Sequence, residues 1–255
     1  NTPEFSTTRA ELAQKSVDAI LDFGEKGFPG ILVETIAIFI NNLAAPANTK
    51  VFSLTHRLHL TQPQAYIFDP ELPYWIIYRN QLFDSVCRKL DFDVFEVFRD
   101  RQLTNKLLSS SGELRVLKSR NLSDDGKEIL DIPGYDSYIS YAAAKPLSVF
   151  QYLDAPNVYL TPNMTYKPRM MKKPPHCVVN GSLAILIPKG GIVPTEKQLA
   201  YFSSEEYRAF YQIARNFQTR SLNVDACSVF FYGLLRDEAK PAPEKFDTSV
   251  QLSFL

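Results

Sequence analysis

Two apolar, β-branched runs, Ala19-Ile-Leu-Asp-Phe23 and Ile31-Leu-Val-Glu-Thr-Ile-Ala-Ile-Phe-Ile40, flank the glycine-rich stretch Gly24-Glu-Lys-Gly-Phe-Pro-Gly30. Runs of this kind, joined by residues that tolerate unusual backbone angles, fold back as a β-hairpin with a long connection. The uninterrupted apolar core of the second run, Ile36 to Ile40, is strand-sized and far short of the roughly 20 residues a membrane span needs. Aromatics reach 13% of the chain, which favours strands and stacked side chains over a helical bundle. With 255 residues the chain is one large domain or two small ones, and it can bury a real core. The expected class is α+β: mixed, mostly antiparallel sheets with a few helices.

Along the chain, residues 7–19 read as a short polar helix ahead of the hairpin, and Asn41-Asn42 with the Ala/Pro segment to Asn48 as a linker. Residues 50–59 alternate with a period of two, a strand, and 92–98 alternate again. Leu82, Phe83, Val86, Cys87 and Leu90 give one apolar helical face over 80–90. A strand over 114–122 carries the cations Arg115, Lys118 and Arg120. Further strands are expected at 157–160, 178–187 and 228–232, and a turn at Asp124-Asp125-Gly126. Thr195 with Gln198 and Ser203 with Glu206 have capping-box spacing, and the second helix lines up Tyr207, Phe210, Tyr211, Ala214 and Phe217.

Several chemistries lack their signatures. Cys87, Cys177 and Cys227 form neither a close pair nor an even set, so free thiols in a reducing cytoplasm are expected. His56, His59 and His176 have no metal-ligand spacing, and no metal is expected. There is no Gly-x-Ser-x-Gly elbow and no Gly-x-x-x-x-Gly-Lys loop; Lys189-Gly190-Gly191 reads as a turn after a strand. No basic start precedes an apolar block, so no secretory signal is expected. The chain opens without methionine, which leads us to expect a fragment or foreign residues at its start.

Charge is uneven. The whole chain balances 28 basic against 28 acidic residues, yet 145–220 holds ten Lys or Arg and four Asp or Glu, an excess of six positive charges. Positive charge gathered beside aromatics and amides points to a localised polyanion site, against the plainer reading of a solvated basic surface. Asn163, Arg169, Gln218 and Arg220, in loops beside strand or helix ends, are the candidates for reading base edges. Lys118, Arg120, Lys167, Lys172, Lys173 and Arg215 are the candidates for phosphates.

Three stretches carry a resemblance. Residues 20–40 resemble the last hairpin of the Rossmann-like catalytic domain in adenine-specific DNA methyltransferases of restriction–modification systems. Pro162-Asn-Met-Thr-Tyr-Lys-Pro-Arg169 and Val179-Asn-Gly-Ser-Leu-Ala-Ile-Leu-Ile-Pro-Lys189 resemble the TaqI-like target-recognition domain of type IIS members, and 201–223 continue the likeness. The resemblance implies residues 1–45 as the end of the catalytic domain, 46–240 as a double-stranded-DNA recognition domain and 241–255 as a tail. It implies that Phe28 of the hairpin loop stacks on a flipped adenine, against the plainer reading of a ring that plugs the hairpin end. It also implies a bacterial, cytoplasmic, nucleoid-associated enzyme that uses S-adenosylmethionine. The glycine-rich cofactor loop and the Asn/Asp-Pro-Pro-Tyr/Phe tetrapeptide of that class are missing here. The cofactor is therefore expected on a separate, N-terminal catalytic segment, with this chain inactive alone. A type IIS endonuclease specificity domain and a non-catalytic protein-binding domain stay open as alternatives.

Overall fold

A computed structural model describes residues 3–31, 33–43, 45, 47–218 and 223–237. The described chain is α+β with mostly antiparallel sheets. It divides into two compact units, one of residues 3–88 and 212–218, the other of 89–211 and 223–237. Among the described residues no helix is long and apolar enough to cross a membrane.

In the first unit, α1 (Ser6–Ala13) leads into β1 (Ser16–Gly24), the hairpin partner of β2 (Thr35–Asn41). The helix is shorter than expected because Val17 is already in the sheet. Its N–H donates to the buried Gln64 Oε1 at 2.7 Å, while Gln64 Nε2 donates to the Ala13 and Lys15 carbonyls. Then β3 (Asn48–Ser53) pairs parallel with β1, and β4 (Leu58–Pro63) antiparallel with β3, in the order β2-β1-β3-β4. This sheet runs straight across the boundary expected at 45/46. The strand expected over 50–59 is in fact two strands and a turn, where Arg57 takes a φ of 51°. His56 sits in that turn rather than in a strand, and His59 stacks on Phe52 at 4.5 Å. At the hairpin end Gly24 has a φ of 54°, and a Cβ there would lie 2.2 Å from Thr55 Oγ1, so only glycine fits. The outer strand β2 has no charge, and Ile36, Phe39 and Ile40 are exposed on it. Next come α2 (Gln64–Ile67) and α3 (Gln81–Cys87), the latter capped by Asn80 Oδ1 accepting from the Phe83 N–H at 3.0 Å.

The second unit holds β5 (Leu90–Asp91), β6 (Phe95–Phe98), β7 (Leu114–Leu117), β8 (Ser137–Ile139) and α4 (Tyr141–Ala144). These are followed by β9 (Tyr159–Pro162), β10 (Met171–Lys172), β11 (Cys177–Val179) and β12 (Leu183–Pro188). The chain continues into α5 (Glu196–Tyr201), α6 (Glu205–Ala214, whose last turn belongs to the first unit) and β13 (Leu234–Leu235). The sheets run β10-β9-β12-β6, β11-β7-β8 and β13-β5, with β11 parallel to β7. Between them lies a core of Leu114, Val116, Leu117, Ile139, Leu160, Val178, Leu183 and Ile185. The run expected as one strand over 178–187 is interrupted by a turn where Asn180 Oδ1 accepts from the Ser182 N–H, and β7 stops at Leu117. Residues 228–231 form a 3-10 turn, not a strand, because Asp225 Oδ1 accepts from the Cys227 and Ser228 N–H groups. The box at Thr195 and Gln198 is present in full; α6 is instead capped one residue later than expected, by Ser204 Oγ accepting from Tyr207 N–H.

Candidate nucleic-acid interface

In the second unit two loops come together, 118–127 after β7 and 163–170 after β9. The residue that joins them is Arg169. It is 7% exposed, and its guanidinium donates to the carbonyls of Lys167 (3.0 Å), Ser119 (3.0 Å) and Leu122 (3.2 Å). Burial lowers its pKa, with Asp124 opposing the shift. A side chain spent on three backbone carbonyls has no fork left for guanine. The assignment of Arg169 to a base edge is therefore corrected to that of a clamp between loops.

Asn163 meets the same fate. It is 3% exposed; Nδ2 donates to the Gly181 carbonyl at 3.1 Å and to Asn223 Oδ1, and Oδ1 accepts from the Val224 N–H at 2.9 Å. Lys173 is also buried, with Nζ donating to the Leu153 carbonyl at 2.7 Å and that of Pro174 at 2.9 Å, and desolvation pulls its pKa down. Arg215, in the first unit, is 2% exposed and out of reach of a phosphate. For these four the sequence context was read correctly as polar and cationic but wrongly as outward-facing. For Arg169 and Lys173 the reason is that loop carbonyls with too few sheet partners draw a long cation inward.

The remaining candidates differ. Arg120 is exposed and sits over the Tyr135 ring at 4.7 Å; Lys118 lies over the same ring at 3.9 Å, with Nζ donating to the Tyr135 carbonyl and to Ser137 Oγ at 3.0 Å. Burial and the neighbouring Arg120 lower the Lys118 pKa against the pull of Asp136. Lys167 is exposed and pairs with Asp124 at 2.5 Å, a second tie between the two loops; the bond from Lys167 holds the Asp124 carboxyl below its ordinary range. Lys172, on β10, is exposed. Arg115, the third cation of that stretch, is occupied by Asp131 (2.5 Å) and Asp136 (3.0 Å).

In the first unit Phe28 is 55% exposed at the tip of the hairpin loop, so it does not plug the hairpin end. Gln218 is half-buried just after Asn216 and Phe217, which take φ of 48° and 62°. That pair is locked by Asn216, whose Oδ1 accepts from the Ile77 N–H at 2.9 Å and whose Nδ2 donates to the Trp75 carbonyl at 2.8 Å. Arg220 lies outside the described residues.

Sequence reasoning passed over Lys127, Tyr135 and Glu196 as site residues, and it favours packing over stacking for Tyr166, which is 50% exposed. Lys127 and Tyr166 are exposed in the joined loops, and Tyr135 carries the two cations above. The Asp124-Asp125-Gly126 turn was the available signal for Lys127, since it puts the next side chain at a loop tip. Gly190 and Gly191 have positive φ with open space around them, a turn at the end of β12, and no phosphate cradle is formed there. No protein-family model matches the chain, and no curated protein matches it.

Proposed function

We propose that the chain is the double-stranded-DNA recognition part of an adenine-specific DNA methyltransferase of a restriction–modification system, acting with a separate catalytic segment. The observation that carries this reading is the loop pair fixed by Arg169, from which Arg120, Lys127, Tyr166, Lys167 and, just beyond, Lys172 face solvent. Cations and an aromatic held on a rigid loop surface suit phosphate contacts and base stacking. The motif order from the hairpin through residues 162–223 supports the same assignment.

In this reading the phosphate contacts come from Arg120, Lys127, Lys167 and Lys172, with Lys118 holding Tyr135 in place. Gln218 and Arg220 keep their role at base edges, and Phe28 meets the extruded adenine. S-adenosylmethionine and the methyl transfer belong to the catalytic segment, because the loops that hold them are not in this sequence. The cell compartment is then the bacterial cytoplasm.

A salt-dependent mobility shift tests it. Four phosphate contacts give a slope of log K against log salt of about −3.6 on B-DNA, and each cation replaced by alanine removes about 0.9 from it. Binding that is indifferent to salt, or equal slopes for wild type and the Arg120→Ala/Lys172→Ala pair, refutes the assignment.

A further inference from the structure

A cleft of about 540 Å³ opens in the second unit among the 125–127 turn, β10 and α5. Its size lies within the range of small-molecule sites. Its apolar lining is the partly buried Met171 and Leu199; the Met170 side chain, 1% exposed, lies behind them. At the mouth stand two exposed cations, Lys127 and Lys172, and two exposed carboxylates, Asp125 and Glu196. Among the described residues neither the Lys172 ammonium nor the Glu196 carboxylate has an ion-pair partner.

The walls are fixed in advance. Gly126, with a φ of 71°, brings the turn so close to β10 that a Cβ would lie 2.9 Å from the Met170 carbonyl. Ser203 Oγ donates to the Asp125 carbonyl at 2.8 Å, and Ser123 Oγ accepts from the Lys127 and Glu128 N–H groups. On the other side α5 has its capping box, and Gln198 Nε2 donates to the Leu235 carbonyl at 2.8 Å.

We propose that this cleft binds one unstacked nucleotide whose base carries an exocyclic amine. The Met171 thioether and Leu199 offer a polarisable apolar seat for a base. The lysines take its phosphate. Ionised carboxylates only accept hydrogen bonds, so Glu196 favours the amine donors of cytosine, adenine or guanine over thymine, whose one donor is its ring N–H; Asp125 Oδ1 is already taken by Ser123 Oγ and the Lys127 N–H. Lys127 and Lys172 are also duplex phosphate contacts in the reading above, whereas Met171, Leu199 and Glu196 serve the cleft alone, so mononucleotide binding is read separately from duplex binding. A free nucleotide and a base displaced from a DNA strand offer the same chemistry.

Titration calorimetry of the full chain with dCMP, dAMP, dGMP, dTMP and deoxyribose 5-phosphate tests the assignment. The expected result is binding of dCMP, dAMP and dGMP, with dTMP at least about tenfold weaker, a difference of about 1.4 kcal/mol. Glu196→Gln should narrow that gap while Lys172→Ala weakens all ligands alike. Ala200→Trp, on the exposed side of α5, should fill the cleft and abolish binding with the circular dichroism spectrum unchanged. A duplex with one unpaired cytosine, set against the fully paired duplex in competition with dCMP, separates the sources: preferential displacement by the bulged duplex assigns the strand base, and its absence assigns the free nucleotide. No binding of dCMP, dAMP or dGMP, binding of dTMP and bare sugar phosphate as tight as theirs, or binding untouched by Ala200→Trp overturns the proposal.

Discussion

Replacing Arg169 by alanine removes three hydrogen bonds from a buried cation to the carbonyls of Lys167, Ser119 and Leu122. Bonds involving a charged partner contribute about 1.5–3 kcal/mol each, and the bared carbonyls lose a buried partner. Against this, the guanidinium no longer bears its desolvation, which already depresses its pKa. The net loss should be about 3–5 kcal/mol, in the class of broken buried polar networks. For a chain of 255 residues that corresponds to a fall in melting temperature of about 10 °C. Thermal unfolding followed by far-ultraviolet circular dichroism measures it, with Arg169→Lys recovering part of the loss. Because the clamp holds the loops proposed to contact phosphates, Arg169→Ala should weaken cognate and scrambled duplexes together. A variant that melts like wild type, yet loses discrimination at a single base pair by about 1–3 kcal/mol, would show the side chain reading guanine and refute the clamp.

Asn216→Gly should lose about 2–3 kcal/mol through its two bonds to Ile77 and Trp75, and Asn216→Ala about 1 kcal/mol more, because alanine resists a φ of 48°; Trp75 fluorescence in urea reports both, and equal losses would remove the backbone argument. Burial first, then the bonds to Asp22 and Asp84, raise the phenol pKa values of Tyr78 and Tyr66. A raised pKa means their contribution is complete below the ordinary phenol value of about 10 and is lost as pH climbs beyond it. Alkaline titration of tyrosinate absorbance should therefore show these two silent until the fold gives way; early ionisation of either contradicts the buried pairs. Phe28→Ala, at an exposed position, should shift stability by less than about 0.5 kcal/mol, while turnover drops once the chain is joined to a catalytic segment; unchanged turnover removes the stacking role.

The elements that sequence exposed best were those specified by their own neighbours. The hairpin, the Thr195–Gln198 box and the buried face of Tyr207, Phe210, Tyr211 and Ala214 all follow from short-range pattern. Alternation alone could not reveal where a strand turns, so residues 50–59 and 178–187 looked continuous. The aromatic, β-branched Ser228-Val-Phe-Phe231 had strand propensity, but Asp225 offered its N–H groups a nearer acceptor. The site was the least legible part. Whether a cation faces solvent depends on which carbonyls lie within reach of it, a long-range property: Arg169 finds two of its three acceptors some 47–50 residues earlier in the chain.

The first unit is interrupted in sequence: residues 3–88 build its sheet, and 212–218 come only after the intervening unit. During synthesis the Ile77 amide and the Trp75 carbonyl must therefore wait for Asn216, more than a hundred positions behind them on the ribosome. The early segment emerges unfinished, and it closes only when the distant return arrives. Cutting the gene after position 88 would yield a sheet without its latch.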